Sequence, residues 1–459
     1  MSAAHLHSLR RLAPLAWPVF VGQVAVLAYS TVDTMLVARY SATELAALAV
    51  GSAVYMTVFV GLMGVVMAVA PLAGQLFGAD KPAEAGDQLH QAAWLALGLT
   101  LLGELILIFP EPFMAIAQTT PEVEGKVRAY LRTLAFSLPA ALIFTAYRGF
   151  NTAVSRPKAV MALQVLGLAI KVPLSLLFVR GAGLLPAMGA VGCALATVIV
   201  MWSQLLIGLL LLRRDPFYAP FGLNRGGLHA PRWNAIKAQL KLGIPMGGSI
   251  LIEVTGFTFM AIFIARLGPT AVAGHQLAAN LVALMFMMPL ALANAAGTLV
   301  AQRVGAQDAL DARRIGWHGL EIALAISCLM GGGVFLAREQ VLGLYTRDAA
   351  IVAAALPLLL WVWLFHMGDA AQTLAAFVLR AHHIATAPMV IYALAIWGVG
   401  IGGGYWLAFG DAPWVPSWLH SASGFWGAAT AGLLLAATGL SAYLAAVHRA
   451  EARETANAH

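Results

Sequence analysis

The sequence predicts an all-α polytopic membrane protein, with twelve transmembrane helices in two six-helix, pseudo-symmetric lobes. The 459-residue chain is 61% hydrophobic and only 10% charged, whereas a soluble domain has about 25% charged residues. Apolar runs long enough to cross a hydrocarbon layer about 30 Å thick recur along the whole chain. A repeat then relates the first half of the chain to the second. These three observations exclude a soluble globular domain.

Charged or turn-rich breaks separate the apolar runs into twelve predicted spans. The spans lie near residues 13–37, 45–77, 92–112, 126–152, 158–180, 186–213, 240–264, 272–303, 316–338, 351–379, 388–409 and 422–447. Most of the 27 Lys and Arg residues fall in segments that are cytoplasmic if the N-terminus is inside. We therefore expect a multi-pass protein of the cytoplasmic (inner) membrane with both termini in the cytoplasm.

The two halves of the chain align without a gap when the second is moved back by 227 positions over its first spans. Leu15 then meets Leu242, and Pro18 meets Pro245. The midpoint carries the longest polar connection, which is rich in Pro, Gly and basic residues and reads as a linker. The predicted division is an N-terminal lobe at 1–214, a cytoplasmic linker at 215–239 and a C-terminal lobe at 240–459.

An even number of spans per half means that both halves enter the membrane from the same side, so we expect an axis along the membrane normal to relate them. Two such lobes facing a central cleft are typical of alternating-access transporters. The basic residues form no continuous basic face, so the net charge of +7 predicts no nucleic-acid partner. The sequence also contains no HExxH, GxSxG or Walker motif, so we expect neither an enzyme with catalytic residues nor a bound organic cofactor.

Charged residues inside the predicted spans are the main functional candidates, because each costs about 2.5–3.5 kcal/mol at the bilayer centre. They are Asp33, Glu104, Lys171, Glu253, Glu321 and Asp369. Glu104 and Glu321 have no evident partner in the sequence, and structural roles are expected for both.

Glu253 is predicted to lie near the middle of span 7, and Asp369 lies at a similar depth if span 10 is bent or enters the core only near Pro357. Two carboxylates close together in a low dielectric cannot both stay ionised without a cation or a shared proton. The pair is therefore a candidate site for a coupling ion. The alternative is that each acid separately bonds a neighbouring helix. His366 precedes Asp369 by about one turn, where it either helps to move protons or donates a hydrogen bond.

Asp33 and Lys171 form a second candidate set, because their backbones differ in depth by only about 5 Å, which a lysine side chain can bridge. The simplest inference is a buried ion pair in the N-terminal lobe. Such a pair is either static or a switch in which Asp33 releases Lys171 when substrate or a proton arrives.

Uncharged polar residues in or at the mouth of three spans are further candidates for the substrate path. Either they line a cleft or they form helix-to-helix hydrogen bonds. They are Gln23, Ser52, Gln276 and Asn280.

Several segments, in this order along nearly the whole chain, resemble the MATE (multidrug and toxic compound extrusion) family, in its NorM-like branch. They include STVDTMLVARYSATELAALAVGS with Asp33, PLAGQLFGADK, KVPLSLLFVRGAG, KLGIPMGGSILIEVTGF with Glu253, AGHQLAANL, GTLVAQRVGAQD and HMGDAAQTLAAFVLRA with Asp369. The resemblance implies two six-helix lobes and antiport of organic cations or other toxic compounds against Na⁺ or H⁺.

The resemblance also implies roles for individual residues. Glu253 and Asp369 match the acids that bind the coupling ion, and they would be metal ligands if that ion is Na⁺. Asp33 matches the family's N-lobe aspartate, and Gln276 and Asp348 match positions on the substrate path. Relatives usually carry asparagines where this chain has Lys171 and Ser175, which favours ion coupling at the C-lobe acids.

The prediction is thus a secondary-active multidrug efflux antiporter that uses Na⁺ or H⁺ as its coupling ion and no other cofactor. Its expected partners are cationic or amphipathic drugs and membrane lipid, and a monomer is expected. The alternative is a flippase for lipid-linked precursors on a related two-lobe fold. A flippase cavity would be basic enough to hold pyrophosphate, whereas this sequence offers three candidate acids against one lysine.

Overall fold

The twelve predicted spans all correspond to helices. The computed structural model describes residues 3–117, 120–181, 183, 185–224, 226–410, 413 and 415–457. Among these residues, eleven helices are long and apolar enough to cross a membrane. A twelfth span results when Pro121–Ala135 and Leu138–Ala153, which meet at a bend of 48°, are counted together. The all-α polytopic fold is confirmed.

The chain divides into two compact units. The N-terminal unit is Pro18–Gly247, and the C-terminal unit is Gly248–His459 together with Met1–Trp17. The helices of the first half are α1 (Ala3–Ala38), α2 (Ala42–Val66), α3 (Val69–Gly78), α4 (Pro82–Ile108), α5 (Glu111–Ala117), α6 (Pro121–Ala135), α7 (Leu138–Ala153), α8 (Pro157–Arg180) and α9 (Ala190–Arg214).

The second half repeats this succession of helices. They are α10 (Trp233–Ala265), α11 (Pro269–Gly305), α12 (Ala309–Leu336), α13 (Arg338–Tyr345), α14 (Ala349–Ala355), α15 (Leu358–Ala381), α16 (Thr386–Tyr392), α17 (Gly403–Phe409) and α18 (Ala422–Asn457). A π-helical stretch, Ala393–Gly402, joins α16 to α17 within one span. It packs closely on α18, because a Cβ on Gly432 would lie 2.5 Å from the carbonyl oxygen of Ala395.

Proline marks both the starts and the breaks of these helices. Pro82, Pro157 and Pro269 each stand in the first turn of a helix, where the missing N–H has no intrahelical partner to lose. Pro139 begins α7 just after the bend from α6, and Pro357 separates α14 from α15. Because proline cannot donate the hydrogen bond that continues a helix, the helices are interrupted at these two positions.

The internal repeat is visible in the backbone turns that end four helices. Asp80 and Gln307, 227 residues apart, have φ of 58° and 59°, and Ser155 and His383, 228 residues apart, have φ of 60° and 59°. In each turn the next residue donates its N–H to a carbonyl five residues back, as Lys81 does to Leu76 at 3.0 Å. This left-handed C-terminal turn normally favours glycine. Its occurrence at two repeat-related pairs of positions supports the pseudo-symmetry of the two halves.

The first turns of α1 pack within the C-terminal unit, although the sequence places residues 1–17 in the N-terminal lobe. Arg11 donates two hydrogen bonds of 2.9 Å to the carboxylate of Asp311. Ser8 and the His318 ring form a hydrogen bond of 2.7 Å. His5 pairs with Glu321, which gives this predicted intramembrane acid a partner and an exposed position. These contacts explain why α1 belongs to one unit at its start and to the other from Pro18 onward.

The segment predicted as the linker, 215–239, has ordered contacts with the N-terminal unit. It begins with a short 3₁₀ helix, Pro216–Phe221, whose Tyr218 and Phe221 side chains are buried in that unit's core. Farther on, Arg232 pairs with Asp87 on α4. Helix α10 then begins at Trp233, inside the predicted linker.

Candidate functional site

The structure brings Glu253 and Asp369 together through one amide side chain. Glu253 lies on α10, and Asp369 lies on α15 together with Gln372, one turn farther along. The Gln372 Nε2 atom donates to Glu253 Oε1 at 3.1 Å and to Asp369 Oδ1 at 2.9 Å. Asp369 and Gln372 are buried, and Glu253 is half-buried. The three side chains therefore form one polar cluster, called here the acid pair with its bridging glutamine.

Among the described residues, this cluster has no positive charge within salt-bridge distance, and the buried Arg380, near the end of α15, acts on Glu253 only at longer range. An amide N–H stabilises a carboxylate by hydrogen bonding but does not neutralise it. Two ionised carboxylates held by one neutral amide would carry a net charge of −2 in a poorly hydrated setting, which is unfavourable. The arrangement therefore favours uptake of a proton or of a hard cation that accepts oxygen ligands.

The amide oxygen of the bridging glutamine adds a further oxygen to the cluster. Gln372 Oε1 is buried and has no hydrogen-bond partner among the described residues, while its Nε2 also reaches Thr373 Oγ1 at 3.0 Å. A buried carbonyl-type oxygen without a donor is costly unless something positive or protic meets it. Rotation of this amide would present the oxygen, beside two carboxylates, to a bound cation.

Aromatic and histidine side chains lie beside the acid pair on α15 and its neighbours. His366, predicted as a proton-transfer candidate, is fully buried, and neither of its ring nitrogens has a partner among the described residues. Phe365 contacts Phe257 and Trp426 with ring centroids 6.0 and 5.4 Å apart. Trp426 in turn donates to His275 Nδ1 at 3.2 Å. Phe257 and Phe365 thus pack together about one turn from Glu253 and Asp369 along α10 and α15.

The N-terminal unit contains the ion pair between Asp33 and Lys171 that the sequence predicts. Lys171 Nζ on α8 lies 2.8 Å from Asp33 Oδ2 on α1, and the lysine side chain is 1% exposed. Ser175, one turn after Lys171, donates to Asp33 Oδ1 at 2.9 Å. Lys171 and Ser175 therefore both contact Asp33.

The remaining donors of Lys171 are also satisfied. Its ammonium group donates to the carbonyl oxygen of Cys193 at 3.0 Å and to Thr197 Oγ1 at 2.6 Å, both on α9. An ammonium group has three N–H donors, and this one has three partners. The N-terminal acid is thus neutralised by a fixed cation whose own hydrogen-bonding capacity is filled.

The other candidate residues are dispersed and outside these two clusters. Ser52 donates to Ala49 of its own helix at 3.2 Å, and Gln23 is half-buried on α1. Gln276 is exposed on α11, where Asn280, also exposed, accepts a hydrogen bond from Tyr345. Asp348 caps α14 by accepting from Ala350 N at 2.9 Å and Ile351 N at 3.3 Å. The capping role of Asp348 is a structural function that the sequence analysis missed.

Gln372 and Thr197 are the cluster members that the sequence analysis did not identify. The signal for Gln372 was its spacing, because a residue three after Asp369 on a helix shares its face. No comparable signal marks Thr197, since its contact with Lys171 depends on the packing of α9 against α8.

Comparison with known proteins agrees with this architecture. The MatE family model matches residues 18–177 and again residues 245–406, so its two matches start 227 residues apart, the same offset as the internal repeat. The chain is 39% identical over 426 residues to the probable multidrug resistance protein NorM of Aromatoleum aromaticum, covering 93% of this chain and 91% of the relative. It is 36% identical to a protein of the same name from Chromobacterium violaceum, covering 97% and 95%.

A solved structure shares the fold over nearly the full length. The eukaryotic MATE transporter AtDTX14 superposes with a TM-score of 0.87, at 19% sequence identity and with 98% of each chain covered. The repeated family match, the curated relatives and this fold agree. The chain belongs to the MatE family of membrane transporters, and it is a transporter and not an enzyme.

Proposed function

We propose that the chain is a secondary-active multidrug efflux antiporter that exports organic cations and other toxic compounds in exchange for Na⁺ or H⁺. The curated relatives named multidrug resistance proteins support the efflux of drugs. The acid pair with its bridging glutamine supports the coupling: two carboxylates share one neutral amide, without a fixed cation in salt-bridge contact among the described residues. This observation carries the proposal.

The acid pair couples the ion to transport by preferring one conformation when it is occupied. Na⁺ or H⁺ that enters from outside neutralises Glu253 and Asp369 and favours the conformation that releases drug outward. Drug binding from the inside or the inner leaflet then favours the other conformation, and the ion leaves. The ion shifts this equilibrium only by the difference between its affinities for the two conformations.

The proposal also includes the oligomeric state, the orientation in the membrane, the division into lobes and the substrate path that the sequence predicts. The protein acts as a monomer in the inner membrane, with both termini in the cytoplasm. The chain keeps the predicted order of N-terminal lobe, linker and C-terminal lobe, except that residues 1–17 belong to the C-terminal unit and α10 begins at Trp233, inside the predicted linker. Gln23, Ser52, Gln276 and Asp348 lie on the substrate path.

The decisive experiment is efflux of a cationic dye such as ethidium from proteoliposomes under separately imposed sodium and pH gradients. We expect one gradient to drive efflux and the other to have little effect, which identifies the coupling ion. Equal activity without either gradient would reject secondary coupling. Movement of a lipid-linked pyrophosphate without movement of the dye would favour the flippase.

The variant that tests the site is Glu253→Gln, which keeps the size of the side chain and removes its charge. We expect gradient-driven efflux to fall to the level of empty liposomes while membrane abundance stays normal. Glu104→Gln is the matched control, because Glu104 is a half-buried acid on α4 outside both clusters. Full efflux by Glu253→Gln, or an equal loss in the control, would reject the acid pair as the coupling site.

A further inference from the structure

Three metal-ligating side chains meet at the end of α18 that precedes the C-terminus. They are His382, which directly follows α15, and His448 and Glu451, which lie three residues apart on one face of α18. One ligand atom from each lies within 4.8 Å of the others. His382 Nδ1 is already 2.9 Å from Glu451 Oε1. The cluster lies within the C-terminal unit, away from the acid pair.

Both imidazole rings are inside the protein. The His382 side chain is 4% exposed, and His448 is 3% exposed. Their Nε2 atoms are buried and have no hydrogen-bond partner among the described residues. A buried ring nitrogen that bonds nothing is costly, so the unpartnered Nε2 of His448, beside two further ligand groups, indicates a partner other than protein.

We propose that His382, His448 and Glu451 bind a divalent transition metal ion, with Zn²⁺ as the best-suited ion. Two imidazoles and one carboxylate form a His₂Glu donor set of the kind that Zn²⁺ accepts, with solvent in its fourth position. Ligand atoms at about 2.0–2.2 Å from one tetrahedral ion lie about 3.4 Å from each other. The His382–Glu451 separation of 2.9 Å is shorter than this value, and the three ligand atoms lie within 4.8 Å of one another, so metal binding requires small rotations of the side chains.

Metal binding must move the ring protons of His382 and His448, and the hydrogen bonds of the two rings show where those protons are in the metal-free protein. In the metal-free protein His382 Nδ1 donates its proton to Glu451, so a metal that takes Nδ1 moves that proton to Nε2. The His448 ring accepts a hydrogen bond at Nδ1 from Trp317 Nε1, at 3.2 Å. This bond fixes the proton of neutral His448 on Nε2. Metal binding through His448 Nε2 moves that proton to Nδ1, where it opposes the Trp317 N–H.

Trp317 is therefore a competitor of the metal, and this gives the site a signature that a purely structural histidine cluster lacks. The Arg313 guanidinium also acts electrostatically on His448. Its positive charge disfavours a cation, whereas the Glu451 carboxylate favours one. A bound ion would fasten the last turns of α18 to the end of α15, the helix that carries Asp369.

The test is Zn²⁺ binding to the full-length protein, purified in detergent without a polyhistidine tag and treated with chelator. We expect one ion per chain by calorimetry and a higher midpoint of thermal unfolding at saturating Zn²⁺. His382→Gln and His448→Gln should each lower the affinity by at least about tenfold, in the range known for losses at metal sites. His420→Gln is the matched control, since His420 is exposed and outside the cluster, and its affinity should stay unchanged.

Trp317→Phe should change the Zn²⁺ affinity in the opposite direction, because it raises the affinity. This variant keeps the proposal testable if the histidine variants fold poorly. Loss of one hydrogen bond worth about 0.5–1.5 kcal/mol predicts a Zn²⁺ affinity about two- to tenfold higher. X-ray absorption of the loaded protein should show two imidazole ligands. The proposal is overturned if the wild type shows no saturable binding, if both histidine variants bind as tightly as the wild type, or if Trp317→Phe weakens binding.

Discussion

The two charged clusters of this transporter differ in whether their carboxylates are paired with a positive charge. In the N-terminal unit, Asp33 is paired with Lys171 at 2.8 Å, and all three donors of the ammonium group are used. In the C-terminal unit, Glu253 and Asp369 share only the neutral amide of Gln372. The first cluster contains its own cation in direct contact, whereas the second has no Lys or Arg in salt-bridge contact among the described residues and only the longer-range charge of Arg380.

The two clusters therefore differ in what the entry of a cation would cost. A cation that enters the N-terminal cluster must displace Lys171 from three partners, at a cost of several hydrogen bonds and of an unpaired ammonium group. A cation that enters the C-terminal cluster removes a repulsion between like charges. We therefore propose the acid pair as the site of coupling, and we expect the Asp33–Lys171 pair to hold α1, α8 and α9 together.

Neutralising the second member of the acid pair should have the largest effect on transport. In Asp369→Asn one carboxylate remains beside two amides, so the need for a bound cation is largely removed. We expect gradient-driven efflux to fall by at least about tenfold, or 1.4 kcal/mol in coupling. The midpoint of thermal unfolding should stay the same or rise, because a like-charge contact is lost. Efflux that stays coupled to the ion gradient in Asp369→Asn would contradict the assignment of coupling to the acid pair.

Removing the ammonium group of Lys171 should have the opposite effect on stability from Asp369→Asn, with a large loss in the free energy of unfolding. Lys171→Met keeps the length of the side chain but leaves Asp33 buried without its positive partner. Breaking a buried pair in this way costs about 3–5 kcal/mol. Chemical unfolding in detergent, followed by circular dichroism, measures this loss.

The double variant Asp33→Asn with Lys171→Met is the control, because it removes both charges. We expect it to recover most of the stability lost in Lys171→Met, since neutral replacement of a buried pair is often tolerated. Recovery of stability without recovery of coupled efflux would instead assign Asp33 and Lys171 to the transport cycle, as the switch hypothesis holds.

The twelve spans were predictable from the sequence because burial in lipid leaves a long apolar signal for each helix. Their breaks were less evident. The bend of 48° between α6 and α7 occurs inside the single predicted span 126–152, and only Pro139 marks it. Hydropathy shows that the start of α1 is helical but not which helices it packs against, so the sequence places it in the N-terminal lobe. The Arg11–Asp311 pair that holds it joins residues 300 positions apart.

The candidate sites were predictable to the extent that charge and depth determine them. A charge in a span is rare and costly, so Asp33, Lys171, Glu253 and Asp369 were all identified. Gln372 was not, because an amide in a helix has many possible partners and only the packing of α10 against α15 selects Glu253. A hydrogen bond between two helices depends on how each helix is rotated about its own axis, and the periodicity of the sequence does not determine that rotation.

Gln372→Leu should have a moderate effect on ion binding by the acid pair. The amide donors stabilise the carboxylates when the site is free of cation, so their loss disfavours that state. A hydrogen bond to a charged group is worth about 1.5–3 kcal/mol. We expect roughly tenfold tighter binding of the coupling ion and slower turnover, measured from the ion dependence of efflux. Thr373→Val is the control, with a change of less than about threefold, and weaker ion binding in Gln372→Leu would instead show that its oxygen is a ligand.

The smallest effect is expected at Asp348, where a capping role and a role on the substrate path can be separated. Asp348→Ala removes the acceptor for the N–H groups of Ala350 and Ile351, and loss of such a cap costs about 1 kcal/mol. Asp348→Asn removes the charge but still caps the helix, so its stability should match that of the wild type. If efflux of a cationic dye falls in both variants, the charge attracts substrate at this position. If efflux falls only in Asp348→Ala, and only as far as the folded fraction falls, then the position of α14 is what the residue provides.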